Sequence, residues 1–448
     1  MVLASSVKGL LLLLTLCAET AFAQLTPKDL ACSLADEVGP RLSGSDGDAA
    51  AVKWAVEKMN ALGLANVHTE PVTVPHWVRG EERAELTSPV SRRLAVTALG
   101  GSVATPDGGL EAEVIRVTTL EALKALGDDE VKGRIVFYDK VMERLPSGKG
   151  YGDTVDVRRS GAAEAARKGA VASLIRTVGT GDARLPHTGG MRYEPDVPRI
   201  PGGALSIPDA ELLRRTLERG PATLKLVLSP HALPDAESAN VIGEVKGTTK
   251  PDEVLLLGAH LDAWDLGDGA LDDAAGVAIV LDVARRLLVT PPKRTVRVVL
   301  FANEENGLRG ARTYAQAHAD ELAKHIAALE ADSGAGLASG VLYAVGPGAE
   351  KLLAPLKGPL AKLKVTAPKA GDAGGADTTQ LPGVPQLELV QDRSRYFDVH
   401  HSADDTCDKI RADELAQVSA VTAVVARHVA NLEGDLGRLP QKSAPLKR

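Results

Sequence analysis

His260 with Asp262, the pair Asp272-Asp273, the pair Glu304-Glu305, Asp332, and the pair His400-His401 are the residues of this chain best suited to chemistry. Imidazoles and carboxylates are the donors that hold zinc, and they also suit manganese and cobalt. Two such cations sharing a water lower its pKa and make a nucleophile near neutral pH. A carboxylate not spent on a metal is free to carry the proton. Each segment alone has a plainer reading. Asp272 would cap a helix. Glu304-Glu305 would end a strand in solvent, His260 would be a satisfied, partly buried histidine, and His400-His401 would sit in a surface loop. Their conjunction favours a metal site.

The elements that must position these groups are short apolar runs. Residues 253–260 read as a strand ending at His260, 295–301 as a strand running toward Glu304-Glu305, and 326–329 as a strand running toward Asp332. Helices are expected over 272–288, 307–322 and 410–432, with a further strand over 341–345. Buried strands alternating with helices predict an α/β fold around a central, mostly parallel sheet. Metal ligands belong where such strands end. Asp262, two residues after His260, would share its strand face and hold the second ring nitrogen. Earlier in the chain, 46–62 has helical spacing up to Gly63, and 67–74 alternates like a strand. The stretch 133–138 reads as a strand, 161–168 as a helix, and 171–175 and 200–207 as strands, with no convincing cluster of histidines and acids.

The segments His260-Leu261-Asp262, Gly269-Ala270-Leu271-Asp272-Asp273, Asn303-Glu304-Glu305, Glu330-Ala331-Asp332-Ser333 and His400-His401-Ser402 together resemble the M28 peptidase family, a carboxypeptidase branch of it above all. The likeness extends to Ser160-Gly161-Ala162-Ala163-Glu164, Pro186-His187-Thr188-Gly189 and Tyr396-Phe397. It implies a zinc-exopeptidase fold with an inserted, small protease-associated-like α/β domain. It implies two Zn2+ per subunit, one on His260, Asp272 and Asp332, the other on Asp272, Glu305 and His401, with Asp272 bridging. Asp272 is preferred to Asp273 by its distance from Gly276, and His401 to His400 by its place before Ser402. Glu304 is then the general base. Asp377 stands where many relatives carry Ser-Asp-His, but here the triplet is Ala376-Asp377-Thr378, so the histidine is missing. Asp377 would hold a substrate amine or the backbone, and Tyr396 would line the pocket or pack. The implied substrates are dipeptides or short peptides with free termini, and a homodimer is implied too. Aminopeptidase or glutaminyl-cyclase-like activity on the same scaffold, and a non-catalytic receptor-like protein, are the alternatives.

The organisation expected is a signal peptide over 1–23 and a first peptidase segment over 24–110. The insertion follows over 111–231, then a second peptidase segment over 232–434 and a disordered tail over 435–448. Lys8, an apolar run to Leu16 and Ala21-Phe22-Ala23 make the leader, with cleavage after Ala23 and export to the periplasm or beyond. The run is too short to be a membrane span. Lys and Arg number 52 against 59 acids, and no basic run suggests nucleic-acid binding. Of 3 cysteines, Cys32 and Cys407 remain after cleavage. They make either one disulfide or two thiols, and are too few for a zinc-thiolate cage.

Overall fold

The apolar runs assemble into two eight-stranded sheets in the computed structural model, which describes residues 25–440. The expected leader and residues 441–448 lie outside the described residues. The strands are β1 (Ala65–Val78), β2 (Glu82–Ser88), β3 (Arg92–Leu94), β4 (Val96–Ala98), β5 (Leu110–Val117), β6 (Ile135–Tyr138), β7 (Ala172–Arg176) and β8 (Gly202–Leu205). They continue with β9 (Thr223–Leu228), β10 (His231–Val245), β11 (Lys250–His260), β12 (Arg294–Phe301), β13 (His325–Glu330), β14 (Ala338–Ala344), β15 (Lys369–Ala370) and β16 (Gln386–Gln391).

The first sheet has the order β1-β10-β12-β11-β13-β16-β14-β15. Its centre, β12-β11-β13-β16, is parallel; β10 runs antiparallel to β12, and β14 runs antiparallel to β16 but parallel to β15. Residues 254–260 and all of β13 are buried, because helices cover both faces of a parallel sheet. Side chains alternate between the two cores. Leu255, Leu257 and Ala259 face the helix Ala275–Leu288, while Leu256 faces Ala311 and Tyr314 of the helix Arg309–Ala317. Ala275–Leu288 is apolar almost all round, as a helix must be when it is packed between the sheet and two further helices, Pro27–Val38 and Ala412–Ala430. The α/β class, with a mixed, centrally parallel sheet between helices, agrees with the sequence.

The second sheet has the order β3-β2-β9-β5-β6-β7-β8-β4, and all its strands lie in the chain between β1 and β10. Those two strands pair antiparallel from Ala65↔Glu244 to Val78↔His231, so the chain leaves the first sheet and returns side by side. β2, β3 and β4 therefore bond in the second sheet, although their residues fall within 24–110. They are short, and no composition break separates them from β1. The helices Asp156–Arg167 and Ile207–Leu217 accompany this sheet.

Some ends differ from the sequence reading. The helix expected from 272 begins at Ala275, because Asp272 and Asp273 are non-helical (φ −127° and −133°). The helix expected over 307–322 is Arg309–Ala317. Residues 435–440 are packed rather than loose. Leu436 is fully buried, and Arg438 Nη1 donates to the Leu322 and His325 carbonyls at 2.8 and 3.1 Å. Cys32 and Cys407 form a disulfide, with Cα atoms 5.3 Å apart, tying the first helix to the loop after His401. Among the described residues no helix is long and apolar enough to cross a membrane.

Candidate metal centre

The expected donors converge at the carboxyl ends of the parallel strands. His260 ends β11 and is 1% exposed. Its Nε2 lies 3.1 Å from Asp272 Oδ1 and 3.8 Å from Asp332 Oδ1. The other oxygen of Asp272, Oδ2, lies 3.1 Å from His401 Nε2 and 3.3 Å from His400 Nε2. His401 Nε2 is also 3.0 Å from Glu305 Oε2. Asp272 thus turns one oxygen toward His260 and the other toward the histidine pair. Donor atoms within 4.8 Å of one another form the groups His260–Asp272–Asp332 and Asp272–His400–His401.

Local backbone explains why Asp272 is free to do this. Gly269 has φ 56°, opening a tight turn over Ala270–Ala274. Asp405 accepts the N–H groups of Leu271 (2.7 Å) and Asp272 (3.2 Å). Asp273 accepts from the N–H groups of His260 (3.1 Å) and Gly276 (3.0 Å), so its carboxylate is occupied by backbone. A Cβ on Gly276 would overlap the Ala331 carbonyl and the Asp273 carboxylate, so glycine lets the helix start this close to the end of β13. Beyond β12, Asn303 takes φ 61°, which turns the chain so that Glu304 and Glu305 follow the strand end directly.

The remaining candidates fall as follows. Asp262 holds His260 through its backbone: His260 Nδ1 donates to the Asp262 carbonyl at 2.9 Å, while the carboxylate is 3.8 Å away. β11 has ended at His260, so the strand alternation expected to aim the Asp262 side chain no longer applies. That carboxylate instead accepts from Glu304 N–H and from Ser43 Oγ, each at 2.9 Å. His400 stacks on His401 with ring centroids 3.5 Å apart. Asp377 is fully buried, and neither carboxylate oxygen has a hydrogen-bond partner. Its N–H and that of Thr378 donate to Glu330 at 3.2 and 2.6 Å. Tyr396 is half-buried, with its ring 5.0 Å from that of His400, and lines a cavity of about 330 Å³ together with Leu271, Arg395 and Arg411.

The sequence offered no sign of Arg41. It is fully buried and donates to the carbonyls of Leu261 (2.7 Å), Asp268 (2.5 Å), Gly269 (2.8 Å) and Gly39 (3.2 Å). These bonds brace the chain between the end of β11 and the turn that carries Asp272. Its only visible signal was the turn-rich stretch Gly39-Pro40 around it.

Charge sets this site apart. Among the described residues, no Lys or Arg forms a salt bridge with Asp272, Glu304, Glu305, Asp332 or Asp377. Buried carboxylates without counter-ions are costly. Burial raises the Glu304 carboxyl well above its usual value, and Asp332 and Glu305 raise it further. Burial also pushes Asp272 upward, but hydrogen bonds from His260 and His401 outweigh it and hold Asp272 well below the usual range. Burial lowers His401, yet Glu305 and Asp272 prevail and push it up to about 10. Glu305 Oε1 is buried without a partner. An acid-rich nest with unspent oxygens and imidazole edges fits divalent cations bound through nitrogen and oxygen.

Residues 240–426 match the description of peptidase family M28. Over 409 residues the chain is 37% identical to carboxypeptidase Q of Bos taurus, covering 90% of this chain and 85% of that protein. The crystal structure of a peptidase M28 precursor from Shewanella amazonensis SB2B is 46% identical, with a TM-score of 0.92 over 95% of this chain and 97% of its own. The chain belongs to peptidase family M28. BSAP, a zinc aminopeptidase from Bacillus subtilis, shares the fold at 19% identity and a TM-score of 0.65, over 92% of this chain and 98% of its own. In this M28 peptidase the matched segment contains His260, Asp272, Glu304, Glu305, Asp332 and His401, but not Arg41 or any strand of the second sheet.

Proposed function

We propose that this M28 peptidase is an exported, dinuclear zinc exopeptidase that hydrolyses dipeptides or short peptides with free termini. The observation carrying the metal assignment is the split of Asp272 between two donor groups inside an acid nest that lacks Lys and Arg. His260, Asp272 and Asp332 would hold one ion, and Asp272, Glu305 and His401 would hold the other. Bound zinc supplies Lewis acidity for the scissile carbonyl and lowers the pKa of a water. Glu304 takes the proton of that water on its carboxylate and returns it to the leaving amine. The Asp262 carboxylate holds the Glu304 N–H and so keeps this base at the strand end. Tyr396 forms part of the wall against which the substrate lies. The similarity to carboxypeptidase Q supports the exopeptidase reading, and the Cys32–Cys407 disulfide supports an oxidising compartment after removal of 1–23.

A panel of free dipeptides, end-blocked peptides and N-terminal Gln peptides, assayed with and without chelator on protein of measured metal content, tests this. Cleavage of free dipeptides, its loss on chelation and two zinc ions per chain are expected. Hydrolysis that ignores the chelator would overturn the metal assignment. Preference for fully blocked peptides would overturn the exopeptidase assignment.

A further inference from the structure

The second sheet reaches the metal centre through one strap, the residues around Thr188 and Gly189. Thr188 donates its N–H to the His401 carbonyl at 2.9 Å, and its own carbonyl lies 3.4 Å from His401 Nδ1. A histidine that gives Nε2 to a cation carries its proton on Nδ1, and the partner of that proton sets the ring's orientation. His401 also has φ 61°, in the left-handed region that few non-glycine residues occupy.

Arg158, from the helix Asp156–Arg167, packs at the same Nδ1 corner of the ring as the Thr188 carbonyl. It is 5% exposed, its Nη1 is 3.5 Å from His401 Nδ1, and its Nη2 donates to the Tyr151 hydroxyl at 2.7 Å. The strap itself is well anchored. Thr188 Oγ1 donates to the Ala98 carbonyl at 2.8 Å and accepts from Arg79 at 3.3 Å. Arg79 also grips Asp265 at 2.6 and 2.8 Å, which joins the strap to the loop after β11. Gly100 N–H donates to the Gly189 carbonyl at 3.1 Å. Position 189 admits only glycine: φ is 130°, and a Cβ there would overlap Arg158 Nη1 and come within 2.8 Å of His401 Nδ1. His260 is oriented differently, by the Asp262 carbonyl at the end of its own strand.

We propose that the second-sheet lobe positions one half of the metal pair: the Thr188-Gly189 strap, backed by Arg158, sets the His401 ring for the ion it shares with Glu305. This rests on the dinuclear reading. Thr188, Gly189 and Arg158 are positioning residues and touch no substrate in this assignment. The two ions then depend on different parts of the molecule. Damage to the strap loosens one ion and spares the one on His260 and Asp332.

The experiment is chelator titration of the full mature chain loaded with Zn2+ or Co2+, comparing wild type, Gly189→Ala and Arg158→Met, with Arg215→Ala as an exposed control in the same lobe. Both strap variants should hold one ion about 10- to 100-fold more weakly. They should alter the absorption bands of one cobalt and not the other, although the strain of a Cβ at position 189 also lowers the metal-free melting temperature of Gly189→Ala. Two ions bound with wild-type affinity and spectrum in both variants would overturn the proposal and leave the dinuclear reading intact. So would equal loss of both ions with a lower metal-free melting temperature, the signature of simple damage to the lobe. A wild-type chain that holds fewer than two ions overturns the dinuclear reading and the proposal with it.

Discussion

Asp139, at the carboxyl end of β6 in the second sheet, is 3% exposed and accepts hydrogen bonds from Arg116 Nε at 2.6 Å and Arg176 Nε at 2.8 Å. Arg176 also reaches Glu211 at 2.6 Å. Asp272, in the turn between β11 of the first sheet and the helix that follows it, faces imidazoles only, and Glu304, Glu305 and Asp332 beside it have no Lys or Arg partner among the described residues. Both regions bury acids where parallel strands end. One neutralises them with guanidinium groups and becomes structural. The other leaves negative charge in place, and that deficit calls for cations. Strand-end acids are therefore a poor guide to function until their counter-ions are counted.

The largest expected effect is on turnover. Glu304→Gln should keep its metal and lose about 10³-fold in kcat; near-normal turnover would remove Glu304 as the base. Next comes Asp139→Ala, which leaves the buried Arg176 with Glu211 as its one carboxylate partner and frees the exposed Arg116; it should cost about 1–3 kcal/mol in urea unfolding, with or without chelator. A cost near zero would erase the contrast between the sheets. Away from its strand ends the first sheet is as well partnered as the second. At the start of β13, His325 Nδ1 donates to the Glu321 carbonyl (3.1 Å) and Nε2 accepts from the Tyr314 hydroxyl (2.9 Å). Burial lowers this histidine to about 4. Because its folded value lies below the unfolded one, the unfolded chain takes the proton first. Stability is then complete above about pH 6.5 and falls by on the order of 3 kcal/mol as pH drops to 4. In His325→Gln that slope should flatten. The smallest effect is a gain: in metal-free protein, Glu304→Gln removes an uncompensated acid and should raise stability by about 1 kcal/mol. Destabilisation there would show that the acid is neutralised by the chain itself.

Much of the first sheet was legible because its strands are buried on both faces, and continuous runs such as 254–260 stand out. The donors were legible because each one ends or follows such a run. β2, β3 and β4 were not, since they are short and lack an apolar run that would announce pairing with strands far along the chain. The helix ending near Leu288 was placed well, but its first residues were not. Asp272 and Asp273 look like helix-capping residues locally, and the carboxylates of Asp273 and Asp405 take up the backbone N–H groups around them.

Residue type, spacing and the resemblance to family M28 together pointed to the imidazoles and carboxylates that meet, and those at strand ends lie together because the strands pair in parallel. Tertiary structure decided how each is held: His260 by the carbonyl rather than the carboxylate of Asp262, the bridging loop by Arg41, His401 by Thr188 from the other sheet. Those bonds join segments as far apart as 228 residues and mostly use backbone carbonyls, which every residue carries. A group common to all positions leaves no trace in composition or periodicity, so its partner becomes visible only when the chain is folded.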